Sequence, residues 1–136
     1  MKALWLLIVG ILPVISCANQ TTVVNKINNK LTFSEIRTNF ELTDENKYGC
    51  EKIDTATIKH ILRTGTLVTQ REVHDYYSTT GCSIKGSMLI NGKETDFTLE
   101  YGGIIYFKNE LILGCGQKCC SDNFPYCSWE APGTKN

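Results

Sequence analysis

The sequence predicts an α+β domain: one or two helices packed on a four- to five-stranded antiparallel meander, with a disulfide-stapled loop at the C-terminus. Three observations lead to this fold class. The dipeptide Asn91-Gly92 lies between two runs that alternate apolar and polar residues, which is typical of a β-hairpin. A short amphipathic helix pattern precedes it. Four of the seven cysteines fall between residues 115 and 127, which favours disulfide bridging in an exported domain.

The N-terminal segment has the layout of a secretory signal. An apolar run over residues 3–16 follows the single charge of Lys2 and ends at Cys17. This run is shorter than the ~20 residues that span a bilayer. The ending Val14-Ile15-Ser16-Cys17 resembles the lipobox of bacterial lipoproteins, in which aliphatic and small residues precede a cysteine. The resemblance implies that residues 1–16 are a signal peptide cleaved before Cys17, and that Cys17 is lipidated.

The same resemblance implies a location on the periplasmic face of the outer membrane, because Ala18 stands where an Asp would mark retention in the inner membrane. Several acyl chains make such anchoring permanent, and the lipid is the only membrane contact that we expect. Two alternatives stay open. A signal peptidase cut after Ala18 would leave a secreted chain, and in a eukaryotic secreted protein Asn19-Gln20-Thr21 would be a glycosylation sequon.

Composition limits the mature chain to one domain and gives no reason to expect nucleic acid. Residues 17–136 have the length of one ordinary domain. Removal of Lys2 leaves thirteen basic residues beside fourteen acidic ones, with no basic block, so a nucleic-acid partner is not expected. Residues 17–30 are rich in Asn, Thr and Lys and are predicted to form a flexible tether. The globular domain is therefore expected to cover residues 31–136.

The first ordered element is predicted to be a helix that begins near Thr32. Thr32 and Glu35 have capping-box spacing, and Phe33, Ile36 and Phe40 would share one helical face. A strand is the alternative for this segment.

A second helix is predicted after a turn over residues 44–49. Asp54 is expected to cap its N-terminus and Gly65 to end it. Its buried stripe would consist of Ile58, Ile61 and Leu62. Because a helix of about three turns is marginal alone, it needs a sheet to pack on.

A type I′ turn at Asn91-Gly92 fixes the register of the predicted hairpin. The opposed pairs would be Ile90–Lys93, Met88–Thr95, Gly86–Phe97, Ile84–Leu99 and Cys82–Tyr101. One face is then apolar. The other is polar apart from Leu89 and carries Ser83, Lys85, Ser87, Glu94, Asp96, Thr98 and Glu100. Such a sheet has one buried face and one that faces water.

Further strands are predicted over Ile104–Phe107 and Leu111–Leu113. Their nearly continuous apolar runs indicate strands that are covered on both faces. An earlier strand over Glu72–Ser78 would complete the antiparallel meander.

The cysteines beyond Cys17 are Cys50, Cys82, Cys115, Cys119, Cys120 and Cys127. Their even number predicts three disulfides, whose pairing the sequence leaves open. The neighbours Cys119 and Cys120 are expected to reach in different directions, for example to Cys82 and Cys50. A metal site is disfavoured, because the C-terminal cysteines are separated by three, zero and six residues, whereas zinc sites commonly pair cysteines about two residues apart. We expect no metal and no cofactor.

No catalytic centre is predicted. His60 lies near the polar edge of the second helix and is expected to be solvated. His74 and Asp75 fall on the predicted strand over Glu72–Ser78, where neighbouring side chains point to opposite faces and cannot form an orienting pair. The sequence has no Gly-x-Ser-x-Gly elbow, no His-Glu-x-x-His motif and no phosphate-binding loop. We therefore expect a protein that is not an enzyme.

The aromatic part of the C-terminal loop is the best candidate for a binding site. Phe124, Tyr126 and Trp129 lie within the cysteine-rich segment or next to it. Tyr and Trp are enriched in interface hot spots, and a pre-organised surface binds more tightly. Disulfides would supply this rigidity. The alternative is that these rings cover the open end of the sheet and close the core.

Size, lipobox and cysteines together resemble the small lipoprotein immunity proteins and lysozyme inhibitors of Gram-negative bacteria. The resemblance implies a protein that inhibits an incoming antibacterial enzyme, with a toxin or hydrolase as its partner. The alternative is a structural or assembly lipoprotein of an envelope or secretion complex. An inhibitor forms a one-to-one complex with a soluble enzyme, whereas an assembly protein co-fractionates with a large membrane complex.

Overall fold

Seven strands and two helices make up the secondary structure of the residues that the structure describes. The computed structural model describes residues 21–26, 28, 30–120 and 123–133, so the predictions for residues 1–20, including Cys17, lie outside it. The elements are β1 (Val23–Val24), β2 (Thr32–Asp44), α1 (Thr55–Thr64), β3 (Thr66–Leu67), α2 (Gln70–Tyr76), β4 (Cys82–Ile90), β5 (Lys93–Glu100), β6 (Ile104–Phe107) and β7 (Ile112–Gly114). This content agrees with the predicted α+β class.

One antiparallel sheet contains all the described strands, in the order β1-β2-β4-β5-β6-β7-β3. The prediction of four or five strands is therefore too low. The additional strands are β2 and the two edge strands, β1 and β3, which are each two residues long. Two residues are too few for an alternating pattern to show in the sequence. The sheet curls around α1, which contacts β1, β2 and β7.

Strand β2 occupies the segment for which a helix is predicted, so the strand alternative is the one observed. Phe33 pairs with Ile90, but the register of β2 against β4 shifts twice, before and after Arg37. Glu35 lies in the left-handed region, with φ of 49°. Irregularities of this kind bend a strand and add residues to one side of the ladder. They break the two-residue alternation, which is why the sequence does not show a strand pattern here.

The β4–β5 hairpin has the predicted register, with Ile90 opposite Lys93. Asn91 and Gly92 have φ of 48° and 80°, as a type I′ turn requires. Asn91 also ties this turn to β2, because its Oδ1 accepts a hydrogen bond from the Thr32 N–H at 2.9 Å. The apolar face of the hairpin lies in the core and contributes Ile84, Met88, Ile90, Phe97 and Leu99.

Helix α1 agrees with the prediction at both ends. Asp54 Oδ1 accepts a hydrogen bond from the Thr57 N–H at 2.7 Å. Hydrogen bonds from the side chain and then the backbone of Thr57 lower the pKa of Asp54. At the other end, the Gly65 N–H donates to Ile61 O at 2.7 Å. The buried stripe consists of Ile58, Ile61 and Leu62, as predicted.

Helix α2 lies where a strand over Glu72–Ser78 is predicted, and that prediction is wrong. Thr69 and Glu72 form a capping box: Thr69 Oγ1 accepts from the Glu72 N–H at 3.2 Å, and Glu72 Oε2 accepts from the Thr69 N–H at 2.7 Å. The Thr69 N–H is also the main cause that lowers the pKa of Glu72. Val73 packs on β6 and β7, on the sheet face opposite α1. These two strands are therefore covered on both faces, as predicted.

The ordered domain begins before residue 31. Val23 pairs with Phe33 and is only 3% exposed, and Asn25 is fully buried. Part of the segment over residues 17–30 is therefore built into the sheet, and for this part the prediction of a flexible tether is wrong. Its polar composition conceals the buried positions, because a pair of adjacent valines, Val23 and Val24, forms the strand that pairs with β2.

Candidate functional site

Three disulfides join the cysteines of the described chain: Cys50–Cys82, Cys115–Cys119 and Cys120–Cys127. The predicted disulfide-stapled loop is confirmed. A bridge from this loop to Cys50 or Cys82 is not formed, because these two cysteines bond each other. Cys119 and Cys120 bond different partners, as predicted, and both partners lie in the C-terminal segment itself.

A sharp turn after β2 explains why Cys50 and Cys82 meet. The carboxylate oxygens of Asp44 lie 2.8 Å from the Tyr48 and Gly49 nitrogens and 3.1 Å from the Cys50 nitrogen. These N–H groups, with that of Cys50 first, lower the pKa of Asp44. Since Asp44 pairs with Cys82 across β2 and β4, the turn places Cys50 beside its disulfide partner.

The C-terminal loop, whose described residues are 115–120 and 123–127, packs on α1 through His60. Cys119 O lies 3.0 Å from His60 Nε2, and the ring of Phe124 lies 4.4 Å from that of His60 between centroids. The expectation that His60 is solvated is wrong, because a segment 59 residues later in the chain covers that edge of the helix. These contacts fasten the loop to α1.

The aromatic side chains of the loop continue this contact toward the sheet. Phe124 and Tyr126 meet edge to face with their centroids 5.8 Å apart, and Tyr126 meets Tyr101 at 5.5 Å. The Tyr101 hydroxyl donates a hydrogen bond to Glu51 O. Burial, and then the neighbouring Tyr126, raise the pKa of Tyr101. The rings of Phe124 and Tyr126 thus pack against the core, in agreement with the alternative prediction that these rings help to close the core.

A close approach at Gly103 fixes the loop on the turn between β5 and β6. Gly103 has φ of 90°, and a Cβ at this position would lie 2.5 Å from Tyr126 O and 2.8 Å from Cys115 Cβ. Glycine adopts this backbone conformation without strain and leaves room for both neighbours. The loop backbone therefore rests directly on the sheet.

Trp129 follows the loop and is positioned by the backbone bonds of its neighbours. The Ser128 N–H donates to Gly102 O at 2.9 Å, and the Glu130 N–H donates to Tyr76 O at 2.8 Å. The three predicted partner-binding residues are each half-buried, so each keeps part of its surface in solvent. Partner binding by these rings stays a prediction.

A second surface lies on the sheet face opposite α1, where a groove of about 600 Å³ crosses β2, β4, β5 and β6. Its side chains form two cross-strand rows, Arg37, Ser87 and Asp96 in one and Glu41, Lys85, Thr98 and Tyr106 in the other. Two cations of the groove are paired: Arg37 Nη1 lies 2.8 Å from Glu94 Oε1, and Lys108 Nζ lies 3.7 Å from Asp96 Oδ2. Only the β4–β5 part of this groove follows from the hairpin register, because the bulges conceal the contribution of β2.

In the part of the chain that the structure describes, two groups of side chains have the proximity of metal ligands, namely Cys115, Cys120 and Cys127, and Asp44, Cys50 and Cys82. All of these sulfurs are in disulfides. Since the thiolate is the form that binds metal, the oxidised chain offers no cysteine ligand in either group.

His74 and Asp75 lie on α2, so the prediction that they lie on a strand and point to opposite faces is wrong. His74 Nδ1 lies 3.0 Å from Asp75 Oδ1. The two side chains are 89% and 40% exposed, so water competes for both groups and the pair is weak.

No protein-family model, curated protein or solved structure matches this chain. Among the described residues, none of the helices is long and apolar enough to cross a membrane. A functional proposal therefore depends on the sequence signals and on the geometry of the C-terminal loop.

Proposed function

We propose that this chain is a lipid-anchored periplasmic protein that binds and inhibits an antibacterial enzyme entering the cell envelope. The lipobox that ends at Cys17 supports the anchor. Three disulfides support an oxidising compartment. The partner is a soluble toxin or hydrolase, which binds Phe124 and Tyr126 of the C-terminal loop and the adjacent Trp129.

The rigidity of the loop is the observation that carries this proposal. Two short bridges close it, with sequence separations of 4 and 7 residues, and contacts with His60 and Tyr101 hold its rings. Ordering a rotamer-rich side chain on binding costs about 0.5–1.5 kcal/mol. Because folding already orders these rings, little of this cost remains when the loop meets a partner.

Survival of a laboratory bacterium tests this function. The product of the neighbouring gene is exported to the periplasm with and without this chain, since an immunity protein and its toxin must be inherited together. We expect killing that this chain prevents. In the purified one-to-one complex, Trp129→Ala should weaken binding about thirtyfold or more, as a hot-spot truncation does, with a nearly unchanged thermal midpoint. Lys85→Ala, in the groove, is the matched control and should protect fully.

Two results would contradict these expectations. If the neighbouring product is harmless, or kills whether or not this chain is present, the inhibitor function loses its support. If Lys85→Ala abolishes protection and Trp129→Ala does not, the binding surface is the groove and not the loop.

The alternative function is a structural or assembly lipoprotein of an envelope or secretion complex. The groove favours it, since polar side chains and bridging waters make up much of a protein interface. Detergent extraction followed by size-exclusion chromatography separates the two functions. An inhibitor should elute with one soluble partner, and an assembly protein should elute with a large membrane complex.

The lipid anchor is tested separately. Cys17→Ala should move the protein from the membrane pellet to the soluble periplasmic fraction, because the thiol that receives the lipid is gone. A Cys17→Ala protein that remains in the pellet would show that something other than this lipid holds it there.

A further inference from the structure

The chain enters the folded domain close to the proposed lipid. Val23 is buried in β1 and Asn25 is buried at the end of α1. Only residues 18–22 therefore separate Cys17 from the sheet. Six Cα steps span at most about 20 Å. If Cys17 is lipidated, as the proposed function requires, the start of the sheet stays within about 20 Å of the lipid.

Three exposed cations surround this entry point. Lys26 lies two residues after the end of β1, and its N–H donates to Arg63 O at 2.8 Å, which joins the entering chain to the last turn of α1. Lys30 lies in the same loop, which the hydrogen bond from the Asn25 N–H to Leu31 O closes at 3.1 Å. We call Lys26, Lys30 and Arg63 the basic patch.

The charges of the basic patch are not neutralised by neighbouring carboxylates. Within the described part of the chain, none of its three residues forms an ion pair, whereas Arg37 and Lys108 both do. The mature chain as a whole carries thirteen basic and fourteen acidic residues once Lys2 is removed. An attraction to an anionic surface must therefore come from a local patch and not from net charge.

We propose that the basic patch binds the anionic phospholipid headgroups of the membrane that holds the anchor. The short entry segment brings the patch within reach of the surface, and its unpaired cations are complementary to that surface. Basic residues near an anionic membrane contribute about 1 kcal/mol each, so three of them should raise the affinity on the order of a hundredfold. This contact would fix which side of the domain faces the membrane.

Vesicle co-sedimentation of the unlipidated chain tests the patch without the anchor. Residues 18–136, with the disulfides formed, are mixed with vesicles of phosphatidylcholine alone or of equal parts phosphatidylcholine and phosphatidylglycerol. We expect binding to the anionic vesicles only, and weaker binding at high salt because screening shortens the reach of the charges. The triple variant Lys26→Gln, Lys30→Gln, Arg63→Gln should lose about a hundredfold in affinity.

A second triple variant removes the same charge elsewhere. Lys47, Lys52 and Lys85 are also exposed, and their replacement by Gln should leave vesicle binding unchanged. The proposal is overturned if the chain does not bind anionic vesicles, or if both triple variants lose the same affinity.

These results are independent of the test of the anchor. Binding of the unlipidated chain to anionic vesicles would stand even if Cys17→Ala showed that no lipid is attached. Conversely, if the protein is lipidated but its unlipidated domain does not bind anionic vesicles, the proposal of the anchor stands and the proposal of the basic patch is overturned.

Discussion

Asn25 is the residue whose replacement best tests how the N-terminal segment is built into the domain. Its Nδ2 donates to Leu62 O at 2.6 Å and to Gly65 O at 3.0 Å, and its Oδ1 accepts from the Asn28 N–H at 2.6 Å. Leu62 O is one of the last four carbonyls of α1, which have no partner within the helix. Asn25, which directly follows β1, supplies that partner.

Replacing Asn25 by Ala removes at least these three hydrogen bonds in a fully buried position. At about 1 kcal/mol for each bond, and more where a buried group is left unpaired, the free energy of unfolding should fall by about 3 kcal/mol. Urea unfolding of the oxidised chain measures this loss. Val24→Ala, at the preceding residue, is the matched control. Val24 is 51% exposed, so its replacement should cost no more than about 0.5 kcal/mol.

Asn25→Asp adds a test that a cavity effect cannot imitate. The aspartate keeps the Oδ1 acceptor but turns its second oxygen toward the carbonyls of Leu62 and Gly65. Burial and these carbonyls should raise the pKa of the new carboxyl in the folded state. Its protonated form can donate to one carbonyl, so its stability relative to Asn25→Ala should be present at low pH and lost as the pH rises through that raised pKa. The reasoning is refuted if Asn25→Ala costs no more than Val24→Ala, or if Asn25→Asp shows no such pH dependence.

Three further perturbations have expected outcomes. Gly103→Ala should lower the free energy of unfolding by roughly 2–4 kcal/mol through backbone strain and the clash with the loop. Gly92 also has a positive φ but has open space around it, so Gly92→Ala should cost less. Equal losses in urea unfolding would contradict the clash. Replacing Cys50 and Cys82 together by Ala should cost about 3–4 kcal/mol, worked from loop closure over 32 residues, and a loss below about 1 kcal/mol in the same assay would contradict this reasoning. Because the pKa of Asp54 is lowered in the folded state, its carboxylate stabilises the fold above the unfolded-state pKa, and this contribution is lost as the pH falls through the folded-state pKa. Asp54→Asn caps the helix without charge. It should therefore lose less free energy of unfolding than the unmodified chain when the pH is lowered below about 4.

The parts of the fold that the sequence predicts correctly depend on contacts between residues that are close in the chain. Asn91 and Gly92 determine their own turn, and that turn determines the register of the strands beside it. Asp54 and Gly65 likewise mark the ends of α1 through bonds within one or two helical turns. Local chemistry determines this turn, its register and these helix ends, so they can be predicted without knowledge of the rest of the chain.

The wrong assignments arise where contacts with a distant segment determine the secondary structure. Thr32 and Glu35 have the same spacing as Thr69 and Glu72, yet only the second pair forms a capping box. The first pair lies in β2, because Phe33 can pair with Ile90 of the hairpin and join the core. The spacing of Thr69 and Glu72 was the available signal for α2.

The candidate site was predictable in its composition but not in its assembly. The cysteines and rings of the C-terminal loop are visible in the sequence, and so is the role of the cysteines in stapling the loop. The support of the loop is not visible, because His60 lies 59 residues before Cys119 and looks like a solvated helix residue. Likewise, the shape of the groove depends on the bulges of β2, and no local sequence pattern indicates these bulges.

The segment that follows β1 and the C-terminal loop are both fastened to one helix. Asn25 holds the entering strand at the C-terminal end of α1, and the carbonyl of Cys119 holds the C-terminal loop at His60, about one turn earlier. A helix of 10 residues is marginal alone, so α1 owes its stability to the sheet that curls around it. The proposed binding loop is therefore fastened to the same helix as the strand that would follow the proposed anchor.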